Sequence, residues 1–329
     1  LEFLADVQEN SRHTAHIDGL VDIADNELWL DIDADSLNAA FLNSMLSSFM
    51  SDIKGHASGH ITVGGKMNAI DLNGTLLADA SMKLTPTNVT YQLKDSIRLT
   101  PGRILFNDIT AYDNRRQKAI INGAVTHKYL KDYAYSLNVD ARNILGIDLP
   151  NTGDDSFYTT IRGTGNIMIN GGPNQPLRVD IDARPEAGSE FALSITSQNV
   201  NSSESFITFR DRASKRNTIP NNSPLQTQRR RRTTQPTTPL QLNIRANVTQ
   251  DAKLKLVMNQ ATDDHISAYG DGDLQININD DEIELFGTYR VARGDYHFSL
   301  QDVITKDFSL IEGSTVTFDG DPMSAQLQI

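Results

Sequence analysis

Apolar and polar residues alternate with period 2 along most of the chain, the pattern of strands with one apolar and one wet face. Leu28-Trp29-Leu30-Asp31-Ile32, Ile61-Thr62-Val63, Ile167-Met168-Ile169 and Leu240-Gln241-Leu242-Asn243-Ile244 show it. So do Leu254-Lys255-Leu256, Leu274-Gln275-Ile276-Asn277-Ile278 and Ile283-Glu284-Leu285. Gly, Asn and Asp clusters separate these runs every 8 to 12 residues or so, the spacing of an antiparallel meander. An all-β fold is expected, and a sandwich or closed barrel is the ordinary outcome of such a pattern.

A hairpin-sized unit recurs. Gly59-His60-Ile61-Thr62-Val63 is followed by Ile70-Asp71-Leu72-Asn73-Gly74. Gly272-Asp273-Leu274-Gln275-Ile276 is followed by Ile283-Glu284-Leu285-Phe286-Gly287, and Gly165 to Ile169 with Leu177 to Ile181 is a partial copy. Repeated hairpins suggest one sheet extended by addition.

One segment departs from period 2. Leu37, Phe41, Met45, Phe49 and Ile53 recur every fourth residue, with Leu42, Leu46 and Met50 alongside. This stripe predicts an amphipathic helix over about 36–53, with Asp35 or Ser36 as N-cap and Gly55 as the stop. Its polar face of Ser and Asn does not suit a membrane surface. The helix is expected to plug the apolar face of the sheet through Leu37, Phe41, Met45 and Phe49, because the outward residues Thr62, Asp71, Asn166, Gln241 and Lys255 are polar.

Residues 210–239 lack alternation. Eight basic side chains, including Arg229 to Arg232, against Asp211 give this stretch +7; with −12 for the whole chain, the remainder stands at −19. Such a polar, Pro-containing stretch cannot bury enough surface to offset its ordering entropy, so a disordered loop is expected between a β-body (1–209) and a C-terminal β-domain (240–329). An acidic body does not suit a phosphate backbone, which excludes a dedicated nucleic-acid protein. The absence of Cys excludes disulfides and thiolate metal centres. No run of 18 apolar residues is present to span a membrane. Leu1-Glu2-Phe3-Leu4 does not read as a signal peptide. Residue 1 is not Met and Ala325 to Ile329 stops inside an alternating pattern, so both ends read as cut.

Candidate chemistry is sparse. His13-x-x-His16 and His56-x-x-x-His60 lack the further ligands of a zinc site, and no metal is expected. Asp31-x-Asp33-x-Asp35 opens like a calcium loop but has Ser36 where Gly belongs and Leu42 where Glu belongs. No nucleophile elbow, phosphate loop or dinucleotide fingerprint occurs. Neither an enzyme nor a cofactor is expected, and no catalytic residue is assigned.

The C-terminal residues carry a resemblance. Gly287-Thr288-Tyr289-Arg290-Val291, Gly294-Asp295-Tyr296-His297-Phe298 and Lys306-Asp307-Phe308-Ser309-Leu310 follow in close order. Gly313-Ser314-Thr315-Val316-Thr317-Phe318 and Asp319-Gly320-Asp321-Pro322 come next. This succession resembles the C-terminal domain of the TamB family, the translocation and assembly module of bacteria with two membranes. The resemblance implies an elongated curled antiparallel sheet, U-shaped in section and lined with apolar residues (a β-taco). It implies a periplasmic protein held in the inner membrane by an anchor outside this chain. Partners implied are phospholipid, moved between inner and outer membranes as by AsmA-like relatives, and a TamA-type outer-membrane barrel protein.

A curled single sheet fits the period-2 pattern, since its apolar face becomes a trough. About 18 strands at roughly 4.8 Å would give some 85 Å of trough. A sixteen-carbon acyl chain crossing water meets a barrier of roughly 12 kcal/mol, which such a lining largely removes. The candidate lining is Ile61, Val63, Ile70, Leu72, Ile167, Ile169, Val179, Ile181, Leu242, Ile244, Leu254, Leu256, Leu274, Ile276, Ile283, Leu285, Tyr296, Phe298, Phe308, Val316 and Phe318. Two alternatives stay open: a scaffold that assists outer-membrane protein assembly or secretion by β-augmentation, and a closed β-domain without ligand.

Overall fold

The computed structural model describes residues 1–9, 12–46, 50–151, 157–194, 240–259, 262–279, 282–300 and 304–328. The basic segment 210–239 lies outside them. The described chain forms one 19-stranded sheet. Its first strands are β1 (Glu2–Glu9), β2 (Arg12–Asp22), β3 (Glu27–Asn38), β4 (Met50–Lys66), β5 (Ala69–Leu84) and β6 (Val89–Thr100). Next come β7 (Arg103–Tyr112), β8 (Lys118–Lys128), β9 (Lys131–Leu149), β10 (Phe157–Gly172), β11 (Gln175–Pro185) and β12 (Glu190–Ser194). The C-terminal set is β13 (Leu240–Val248), β14 (Lys253–Asn259), β15 (Asp264–Asn279), β16 (Glu282–Leu300), β17 (Ile304–Ser309), β18 (Thr315–Gly320) and β19 (Gln326–Gln328).

From β1 to β10 each strand pairs antiparallel with the next, as a meander should. Then the long strand β10 pairs with both β11 and β12, laid end to end. These pair in parallel with β13 and β14 respectively, and both of the latter pair antiparallel with β15. The long strand β16 follows, carrying β17 and β18 end to end, with β19 beyond β18. Three ranks thus hold two strands each, so the nineteen strands make sixteen ranks, roughly 70 Å along the sheet. That is shorter than a simple strand count implies.

The helix expected over 36–53 is not formed. Ser36 to Asn38 belong to β3, where Leu37 faces Ala57 and Asn38 faces His56. Met50 and Ser51 open β4 opposite Leu84 and Lys83. Between them lies a short helical turn, Ala39–Phe41 followed by Leu42–Met45. Asn38 caps it by accepting the Ala40 N–H at 2.9 Å. The Asn43 amide donates to the Ile53 carbonyl at 2.9 Å and accepts the Ile53 N–H at 2.8 Å, fastening the turn to β4. The apolar stripe is therefore two strand ends and a turn read as one; ladder bonds to β4 and β5 take the backbone groups that a helix would need. Of the residues expected to plug the trough, Leu37 lies on β3, Phe41 and Met45 lie in the turn, and Phe49 lies outside the described residues.

No thick core is present among the described residues. Buried apolar side chains form two groups of three, Ala119 with Ala141 and Ile144, and Ala268 with Tyr289 and Val291, while others such as Ile53, Ile109 and Ala192 are buried outside these groups. A sandwich of this size would bury one whole face of each sheet.

Candidate functional site

Cross-strand register assembles the apolar residues into continuous rows on one face. Ile109, Ile121, Val139, Ile167, Ile181, Ile244, Ile276 and Leu285 are successive partners on eight adjoining strands. One step along run Leu137, Ile169, Val179, Leu242, Ile278 and Ile283. Toward β1, Ile61 faces Ile32 and Gly74, Val63 faces Leu30 and Leu72, and Ile70 faces Gly65. Toward β19, Leu254 faces Ala268, and Leu256 leads through Ile266 and Tyr296 to Phe308. Leu274 leads through Gly287 to Phe318, Val316 faces Tyr289, and Phe298 faces Lys306. Every trough candidate chosen from the sequence falls on this face.

Most of these side chains are half-buried; Ile283 and Phe308, at 40% and 49% exposed, mark its open stretches. A lining that its own curl shelters, with no second layer upon it, has this intermediate exposure. Asp95 also falls on this face, where its carboxylate accepts the N–H groups of Ser96 and Thr110 at a register shift between β6 and β7. The opposite face is mainly polar, with Asn166 donating to Asn138 and Asp140 and Asn122 donating to Asp108, and it also carries the exposed apolar side chains Leu20, Trp29, Leu77 and Met168.

Curl is built into the backbone by glycine. Gly74 has φ +148°, and a Cβ there would strike the His60 carbonyl oxygen. Gly59, on the facing strand, has φ +141° and stands in the same way against Thr75. Such positions let one strand fold toward its neighbour on the inner side.

Between β6 and β9 the curl closes on itself. The Asp148 N–H donates to the Thr87 carbonyl at 2.9 Å, across β7 and β8. The Asn88 amide donates to the Asp148 carbonyl at 2.7 Å, and the Tyr91 hydroxyl to the Leu145 carbonyl at 2.7 Å. Small inner residues Ala111, Ala119 and Ala141 allow this approach, and Tyr91 and Ile144 fill the gap. The inner face is thus sealed at this margin by a tyrosine and not by a helix.

Behind the seal lies a buried ion pair. Arg162 donates to the Asp113 carboxylate at 2.8 Å, their side chains being 6% and 0% exposed. Asp113 also accepts N–H bonds from Arg115, Gln117 and Leu145. Burial alone would raise its carboxyl pKa. The bonds from Leu145, Gln117, Arg162 and Arg115 outweigh that and hold it below the usual carboxylate value.

Ile109, Ile121 and Val139 were not among the sequence-derived candidates. The strand of Ile109 carries a register shift at Asp108 (φ +54°) that breaks its alternation, Ile121 adjoins Ile120 so that periodicity leaves its face undecided, and Val139 lies in the alternating run Leu137-Asn138-Val139. An Asp or Asn interrupting a β-pattern is the signal that marks such bulges, since both tolerate the left-handed conformation.

No curated protein and no solved structure matches this sequence. Residues 107–329 match the TamB C-terminal domain. The match begins within β7 and takes in both the parallel pairs and all the C-terminal strands. It covers more than half of the sequence, and the chain belongs to the TamB family.

Proposed function

We propose that the inner face of this sheet shelters lipid acyl chains and conducts phospholipid between the inner and outer membranes. The TamB family consists of bacterial envelope proteins, with TamA-type partners in general. The observation that carries the proposal is the row from Ile109 to Leu285, apolar on eight adjoining strands without interruption and covered by no second layer among the described residues. Each methylene kept from water there contributes about 0.8 kcal/mol, while a head group at the open side stays hydrated. The lipid slides without changing covalently, so no catalytic group takes part.

The test is mass spectrometry of organic extracts from the purified chain. Phospholipid should co-purify, and Leu242→Asp and Ile276→Asp should each reduce it several-fold, because a carboxylate in the lining repels acyl chains. Unchanged lipid in both folded variants would reject the proposal. Binding of unfolded outer-membrane strands by a lipid-free chain would favour the β-augmentation scaffold.

A further inference from the structure

The outer face of the first strands brings together residues that lie apart in the sequence. Register aligns Asp6, His16, Asp33 and His60 in one row across β1 to β4. His13 joins this row through a bulge. In a regular strand, residues 13 and 16 would point to opposite faces. Here the pairing slips between Val7 and Gln8, so that His13 faces Gln8 and His16 faces Asp6, with Thr14 as the extra residue. Thr14 is buried, and its hydroxyl donates to the Val7 carbonyl at 3.0 Å, which fixes the bulge. Bulges of this kind re-aim side chains at functional places.

The ligand atoms of Asp6, His13 and His16 lie within 4.8 Å of one another. His16 Nδ1 is 2.7 Å and His13 Nδ1 is 3.7 Å from the same Asp6 oxygen. The other nitrogen of His16 is 3.7 Å from an Asp18 oxygen. A carboxylate behind the ring is the usual outer partner that orients a metal-binding imidazole.

We propose that Asp6, His13 and His16 form a binding site for a divalent transition-metal ion of the zinc class. Two imidazole nitrogens and one carboxylate oxygen are the donor set of zinc, cobalt and nickel, while calcium and magnesium take oxygen ligands. The ion takes the place of the proton that His16 Nδ1 shares with Asp6, and that proton passes to solvent. Three protein ligands leave one tetrahedral position, which water fills. A neighbouring group, Asp31, Asp33 and His60, also gathers its ligand atoms within 4.8 Å but offers one nitrogen only, and ranks second for such an ion.

The experiment is calorimetric titration of the tag-free chain with Zn²⁺, with Co²⁺ absorption as a spectroscopic readout. Saturable binding with tetrahedral-type Co²⁺ bands is expected. His13→Gln and Asp6→Asn should each weaken Zn²⁺ at least tenfold and abolish those bands, while His60→Gln leaves both in place. Asp6 and His13 are exposed, and an unchanged thermal midpoint verifies that the variants fold. No saturable binding, equal affinity in the His13 and Asp6 variants, or loss of binding with His60→Gln alone would each overturn the proposal.

Discussion

Tyr289 illustrates how a single side chain is used inside the curl. It is 1% exposed, lies against Ala268 and Val291, and its hydroxyl meets no hydrogen-bond partner among the described residues. Burial, with Asp271 adding and Arg293 opposing, holds its phenol far above the ordinary tyrosine value. An unpartnered buried hydroxyl costs about 1–3 kcal/mol in desolvation. Tyr289→Phe is therefore expected to leave stability unchanged or raise it by about 1 kcal/mol, as read by urea denaturation. A loss greater than 1 kcal/mol would mean that the hydroxyl is bonded. At this scale the face of a residue was readable where alternation is unbroken: Ile61 and Val63 share the apolar face that alternation gives them, because the ladder to Gly74 and Leu72 has no shift there. The coming together of Asp6, His13 and His16 was not readable, since it depends on a one-residue bulge that periodicity takes for two opposed faces.

Among elements, the buried Arg162–Asp113 pair binds the β7–β8 turn to β9 and β10. Removing one partner leaves an uncompensated buried charge, so Arg162→Met is expected to cost about 3–5 kcal/mol in chemical denaturation. The lowered carboxyl of Asp113 stabilises the fold above the ordinary carboxylate value, and this contribution is lost as pH falls through its folded value. His297 behaves with the opposite sign. Its bond to Asp307 at 2.6 Å raises the imidazole above its ordinary value, with further help from Asp263 and Asp264 against desolvation. The pair's contribution is complete below about pH 6.5 and disappears as pH rises through the folded value. Thermal midpoints of the wild-type chain and His297→Gln should differ at pH 6 and converge by pH 9; a constant difference would remove the charge pairing from the explanation. The misread helix is a lesson of the same scale. Apolar spacing from Leu37 to Ile53 meets the helical template, but it carries no record of the ladder partners His56, Ala57 and Leu84 that hold those strand ends extended.

For the whole molecule, the absence of cysteine makes the inner face testable along its length. Single substitutions Ile61→Cys, Ile167→Cys and Ile276→Cys should each lose reactivity toward a water-soluble maleimide when phospholipid is added. Thr62→Cys, Asn166→Cys and Gln275→Cys on the outer face should keep theirs. Equal protection of both faces would show aggregation, and protection at only one inner position would show an isolated pocket. Strands with one apolar face were legible wherever period 2 is unbroken, but the same pattern suits a sandwich or barrel, and the curled single sheet was implied by the resemblance of the C-terminal residues. The sealed margin at Tyr91 was not legible, because it depends on curvature set by alanines and glycines, whose small size leaves no mark in a hydropathy pattern.

The parallel pairs also set an order in time. β1 to β10 and β13 to β19 are built mainly from hairpins between neighbours, which form quickly. The join between the halves is different in kind. Asp180 meets Asn243 across 63 residues. β12 lies on β14 at the same offset as β11 lies on β13, so one bent unit stacks in register upon another. Closing so long a loop must precede any of the bonds it makes possible. This seam is therefore expected to close last, leaving each half until then with a bare edge open to other unfolded chains.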